Sequence, residues 1–218
     1  MKKIIIICEG QSEQMFCDKI LKPHFSALGI TIEYPRIAHS GGGIVKWQNF
    51  KPEIELHYAT DNDRFITTFI DYYGMYNHHK FPEWANAHVE LVKSTRMEIL
   101  EAGMLNDLTP DIGAKFIPYI QLHEFEALVF SDYAAFGNYY SPIEFSATGL
   151  VNLAALCALE PETINDGITT APSKRLSDNI PAYDKVTDGV ELASLIGLPT
   201  IRSRCSRFDA WITRLEGI

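Results

Sequence analysis

At 218 residues the chain has room for one well-cored domain or one domain with a sizeable insertion, and 46% apolar residues with no low-complexity tract mark it as globular. Its formal charge of −9 argues against gripping nucleic acid by bulk charge alone, although acidic clusters that hold divalent metal would themselves lower the charge. No apolar run approaches the ~20 residues of a membrane-spanning helix, and the Ile4–Ile7 run lacks the small-residue cleavage site of a secretory signal. The expectation is a cytoplasmic protein with no membrane partner. Cys8, Cys17, Cys157 and Cys205 show no CxxC pair and no zinc-like spacing, so they are expected to be four reduced thiols.

Residues 2–8 read as a buried strand that empties at Glu9-Gly10. Ser12 is placed to cap a following helix, with Glu13 in its first turn and Met15, Phe16, Ile20, Leu21 and Phe25 as its buried stripe. Gly29 ends that helix, and residues 30–34 alternate as a second strand. Ser40-Gly41-Gly42-Gly43 is a loop of high backbone freedom, without the Lys-Ser/Thr of a nucleotide-binding P-loop. A segment carrying Trp47 reads as helical despite Pro52. Residues 64–71, rich in β-branched and aromatic side chains, form the next strand and end at Asp71.

Residues 83–102 read as one long amphipathic helix. Residues 116–121 read as a strand placed near an edge by Pro118, and His123 to Phe130 as a helix directly after it. The order of elements favours an α/β fold with a mostly parallel central sheet flanked by helices. From about residue 133 the pattern turns helical and irregular, broken at Pro142, Pro161 and Pro172. The expectation is a single domain over 1–218, with a core to about residue 132 and a helical C-terminal appendage.

Carboxyl ends of strands in an open α/β sheet are where ligands collect. Glu9 and Asp71 stand at two such ends, and Glu124 and Glu126 follow a third. Mg²⁺ takes oxygen ligands, usually one or two carboxylates plus substrate phosphate, so the conjunction suggests a hard-metal site. Each acid also has a structural alternative as a helix cap or turn former. Positions two apart on a helix point about 200° from each other, so Glu124 is the favoured ligand and Glu126 the alternate. Ser173-Lys174-Arg175 is the best basic candidate for phosphate. His123 is a candidate base or orienting residue, while His78-His79 reads as loop surface.

Cys8-Glu9-Gly10-Gln11-Ser12-Glu13 resembles the opening of a Toprim domain, a compact and mostly parallel α/β fold. Together with Phe69 to Gly74, Gln121 to Asp132 and Ala171 to Arg175, it is similar to a bacterial Toprim-related family of unknown function, often encoded beside ABC-type or SMC-like ATPases. The resemblance implies an Mg²⁺- or Mn²⁺-dependent nuclease or phosphodiesterase acting on DNA or RNA, an effector of such an ATPase in defence against phage. Glu9 then matches the acid/base or metal ligand after the first strand, and Asp71 the first acid of an Asp-x-Asp pair. Tyr73 stands where the second would be, so Glu124 or Glu126 would complete the metal shell. Lys174 resembles the late lysine of OLD-type nuclease sites, with Ser173 and Arg175 assisting at phosphate and Glu13, Tyr73 and His123 in support. The alternative is a non-catalytic subunit of the ATPase with a degenerate site.

Overall fold

The computed structural model describes residues 2–38, 40–41, 43–165, 167 and 169–218; Gly42 of the glycine loop lies outside them. The chain divides into two compact units, Met1–Gln121 with Trp211–Ile218, and Leu122–Ala210. Among the described residues no helix is long and apolar enough to cross a membrane.

The first unit holds a parallel sheet. Its elements are β1 (Lys2–Cys8), α1 (Gln11–Phe16), α2 (Lys22–Ala27), β2 (Ile30–Glu33), α3 (Trp47–Thr60), β3 (Phe65–Asp71), α4 (Trp84–Val89), α5 (Lys93–Asn106), α6 (Pro110–Gly113), β4 (Phe116–Ile117) and β5 (Ile120–Gln121). A π turn over Cys17–Leu21 joins α1 to α2. Gly29 turns the chain into β2 at φ 73°, a conformation only glycine adopts cheaply. The sheet order is β2-β1-β3-β4, every pair parallel, with β5 also on β3. Ile4 to Ile7 are buried without alternation because a central parallel strand is covered on both faces.

Pro118 explains why the edge strand is split into β4 and β5. It has no N–H to give the ladder. Threonine hydroxyls of β3 take over: Thr67 Oγ1 donates to Ile117 O at 2.5 Å, and Thr68 Oγ1 accepts from Tyr119 N at 2.9 Å and donates to Tyr119 O at 2.8 Å.

The helix expected over 83–102 is two helices. Glu90 is extended at ψ 129°, and its carboxylate accepts the Val92 N–H at 2.8 Å. Arg96 reaches back to hold the Glu90 carbonyl at 2.5 Å through Nη2, satisfying an acceptor the broken helix leaves open. His79 also departs from the expected loop surface. It is buried, and its Nδ1 accepts the Tyr76 N–H at 3.0 Å.

The second unit is helical: a 3₁₀ segment over Phe125–Ser131, then α7 (Ala134–Tyr139), α8 (Gly149–Cys157), α9 (Pro172–Asn179), α10 (Asp188–Ile196), α11 (Leu198–Arg204) and the start of α12 (Ser206–Glu216). The helix expected over His123–Phe130 is this 3₁₀ segment. All seven of its residues are buried, so no polar face imposed a 3.6-residue period. Glu162 caps the start of α12, accepting from Arg207 N at 2.9 Å and Phe208 N at 3.1 Å. The four cysteines are free and buried, and burial first of all pushes the Cys157 and Cys205 thiols up to about 12.

Candidate active site

In the first unit, β1 and β3 are neighbours, with Cys8 level with Phe69. The chain runs from β1 outward to β2 on one side and to β3 on the other, so the strand order reverses between β1 and β3. In an open α/β sheet, that reversal opens a crevice at the carboxyl ends of the two strands. Glu9 and Asp71 are the residues at those ends. Glu9 N donates to Phe69 O at 3.0 Å, keeping Glu9 in register with β3 for one residue past β1. The Asp71 N–H then donates to Glu9 Oε2 at 2.9 Å, which fixes the direction of the Glu9 carboxylate. Asp71 is buried and Glu9 half-buried, and the two acids end adjacent strands at the lip of the sheet.

Glu13 supports this corner. Its Oε2 accepts the Gly10 N–H at 2.8 Å, tying the start of α1 to the turn after Glu9. A Cβ at position 10 would lie 3.2 Å from that oxygen, so glycine leaves the carboxylate room. Tyr73 is half-buried two residues beyond Asp71. Between them Tyr72 is held from both sides: its N–H donates to Gln121 O at 2.9 Å, and its hydroxyl accepts from Arg96 Nη1 at 2.8 Å. Arg96 thus braces the residue that follows Asp71. It carries no sequence motif, and its helical position gave no sign of this contact.

The second unit gathers a different set. Glu124 is buried, and its carboxylate accepts from Ser173 N at 2.9 Å, Ser173 Oγ at 3.0 Å and Lys185 Nζ at 3.1 Å. Lys185 also lies 3.6 Å from Glu126 Oε1, within ion-pair distance of an acid that is fully buried. Glu124 therefore caps α9 and meets a lysine that sequence reasoning missed. Lys185 sits in an irregular stretch between α9 and α10 that has no periodic signal. Burial, then the Glu126 carboxylate, drive the nearby Tyr183 phenol far above its usual range, so it stays protonated. His123 is buried in this unit. Lys174 is exposed on α9, while Arg175 lines a groove between α8 and α9. Ser173 is thus brought to Glu124, and Arg175 is turned to a separate feature.

Glu124→Ala removes the α9 cap and one carboxylate from Lys185. The expected loss is about 2 kcal/mol, discounted because Lys185 is half in solvent, with an apparent Tm lower by roughly 6 °C in a thermal melt. An unchanged Tm would show that Glu124 does not act as this cap.

Among the described residues no group of three or more His, Cys, Asp or Glu side chains is arranged to hold a metal ion. Two carboxylates are nevertheless the usual protein contribution to Mg²⁺, which keeps several waters and completes its shell with substrate phosphate. By donor chemistry, the Glu9–Asp71 pair fits such an ion. Glu124, already accepting three hydrogen bonds, fits less well.

No curated protein and no solved structure matches the chain. A family model described as a domain of unknown function, DUF4276, matches residues 8–216. The chain belongs to that family.

Proposed function

We propose that the protein is a Mg²⁺- or Mn²⁺-dependent phosphodiesterase of the Toprim type, with Glu9 and Asp71 as its metal-holding pair. One observation carries this reading: the two acids stand at the ends of adjacent parallel strands, at the strand-order reversal, with the Glu9 carboxylate held by the Asp71 backbone N–H at 2.9 Å. When bound there, the ion would neutralise developing charge on a phosphate and lower the pKa of a bound water. The chain's own contribution is orientation. Asp71 N–H fixes the Glu9 carboxylate, Glu13 holds the turn after it, and Arg96 with Tyr72 holds the chain after Asp71. Glu9, only half-buried, is the member of the pair suited to take a proton from an attacking water.

A nucleic acid is the proposed substrate, and an ABC- or SMC-like ATPase the proposed partner. With a net charge of −9, the chain is better suited to cleave a strand presented by a partner than to capture one unaided. A second reading, a non-catalytic regulatory subunit of the ATPase, is favoured by one observation: Glu124 is already engaged by Ser173 and Lys185. The deciding assay is cleavage of single-stranded DNA, duplex DNA, RNA and bis-p-nitrophenyl phosphate with Mg²⁺ or Mn²⁺. The enzymatic reading expects turnover of at least one substrate that EDTA abolishes. No turnover, even with the ATPase present, would favour the second reading, and turnover insensitive to EDTA would overturn the metal dependence.

A further inference from the structure

The second unit carries a surface that none of this chemistry uses. From Gly149 to Leu159 there is no charged residue. A buried amphipathic helix normally turns a charged face to water. Here α8 and the turn after it instead expose Leu150, Val151, Ala154, Ala155, Ala158 and Leu159. Val151 is 74% exposed and Leu159 50%. These residues fall in two adjacent rows at four-residue spacing, 150-154-158 and 151-155-159, the ridge geometry used in helix packing.

Beside this face runs a groove of about 500 Å³ between α8 and α9. Ala155, Leu156 and Leu159 give it an apolar wall, and Arg175 and Asp178 stand along it. The groove is preformed. Asn152 Nδ2 bonds Asn179 Oδ1 at 2.9 Å, crosslinking the two helices, and Asn179 Nδ2 holds Arg175 O at 2.7 Å. Gly149 permits their close approach, since a Cβ there would come within 2.5 Å of Asn179 O.

Arg175 and Asp178 make no ion pair among the described residues, and Arg175 Nε is buried without a hydrogen-bond partner. The groove presents one cation and one anion side by side. A two-fold axis brings residue i of one copy onto residue j of the other and j onto i. Such an axis through α8 would set Arg175 of each copy against Asp178 of the other, while covering one uncharged ridge with its equal. A nucleic-acid occupant is disfavoured by Asp178 and by the chain's net charge of −9.

We propose that α8 and the α8–α9 groove form an isologous interface between two copies of this chain. Val151 or Leu159 of one copy would fill the groove of the other, and the two Arg175–Asp178 pairs would close its rim.

Sedimentation velocity of the full chain, over roughly a hundredfold range of concentration, tests this directly. The wild type is expected to pass from monomer to dimer. Val151→Glu changes an exposed residue and should weaken the association by at least about tenfold, with an unchanged thermal melt at concentrations where the wild type is monomeric. Arg175→Asp should do the same, and the double variant Arg175→Asp with Asp178→Arg should restore the dimer. If Arg175→Asp fails to fold, Val151→Glu alone decides. A wild type that stays monomeric throughout, or a dimer unaffected by Val151→Glu, overturns the proposal.

Discussion

Under the proposed function, Glu9→Gln and Asp71→Asn are each expected to lower metal-dependent phosphodiester cleavage by roughly 10³-fold, the loss expected when several kcal/mol of charge stabilisation leaves the transition state. Both substitutions keep the size of the side chain. Glu9→Gln can orient its amide oxygen to accept the Asp71 N–H that Glu9 Oε2 now accepts at 2.9 Å, so the strand ends should stay in place. The thermal melt of each variant should therefore lie close to that of the wild type, and the defect should appear in the rate. Glu13→Gln is the informative contrast. Glu13 binds the Gly10 N–H and is buried against the start of α1. Its replacement should cost stability first and activity only through the position of Glu9. If Glu9→Gln cleaves at the wild-type rate, the pair at the β1 and β3 ends is not the catalytic centre.

Trp211→Ala is expected to be the most destabilising single change in the first unit. Trp211 stacks on Tyr119 at 4.4 Å with the rings 6° apart, and lies 5.2 Å from the Phe69 ring. Its Nε1 donates to Thr67 Oγ1 at 2.8 Å, the same hydroxyl that holds Ile117 O. The substitution therefore opens a cavity over the edge of the sheet and removes a buried donor. The expected cost is about 3–5 kcal/mol, a large share of the stability of most domains. The apparent Tm should fall by roughly 10 °C. Trp211→Phe keeps one ring against Tyr119 but loses the N–H and the second ring of the indole, so a smaller loss of about 1–3 kcal/mol is expected. A Trp211→Ala protein that melts with the wild type would mean that the C-terminal part of α12 is not packed on β3 in this way.

The parts of the fold that were legible in the sequence are those set by local pattern. An unbroken apolar run from Ile4 to Cys8, bounded by Lys3 and Glu9, specifies a buried strand, and it lies inside the parallel sheet between β2 and β3. The β-branched run to Asp71 specifies a second buried strand, and Pro118 points to the edge strand because a residue without an N–H is poorly tolerated in the middle of a sheet. The features that escaped depend on side chains from distant positions. Apolar residues continue through Val89 and Val92, so the periodic pattern does not show the break there. The break is stabilised by Arg96 folding back on the Glu90 carbonyl. The buried segment after His123 has apolar residues on every side, which leaves a 3₁₀ and an α-helical course alike in sequence.

The candidate site divides along the same line. That Glu9 and Asp71 end strands of one sheet follows from the local pattern, whereas the adjacency of those two strands is set by the sheet order. That Glu124 is held by Ser173 and Lys185 does not follow from the local pattern, because Lys185 lies 61 positions further along the chain in an irregular segment. Ser173, Lys174 and Arg175 read as one basic run, yet α9 directs Ser173 to Glu124 and Arg175 to the groove with α8. Adjacent positions in sequence served different surfaces, as successive residues on a helix generally do.

Mn²⁺ binding by isothermal titration calorimetry, wild type beside Glu9→Gln, bears most directly on the central claim. A single site in the wild type that is lost in Glu9→Gln, with both proteins equally folded, is the expected result. Equal Mn²⁺ affinity in the two proteins would place the metal elsewhere and contradict the assignment of Glu9 and Asp71.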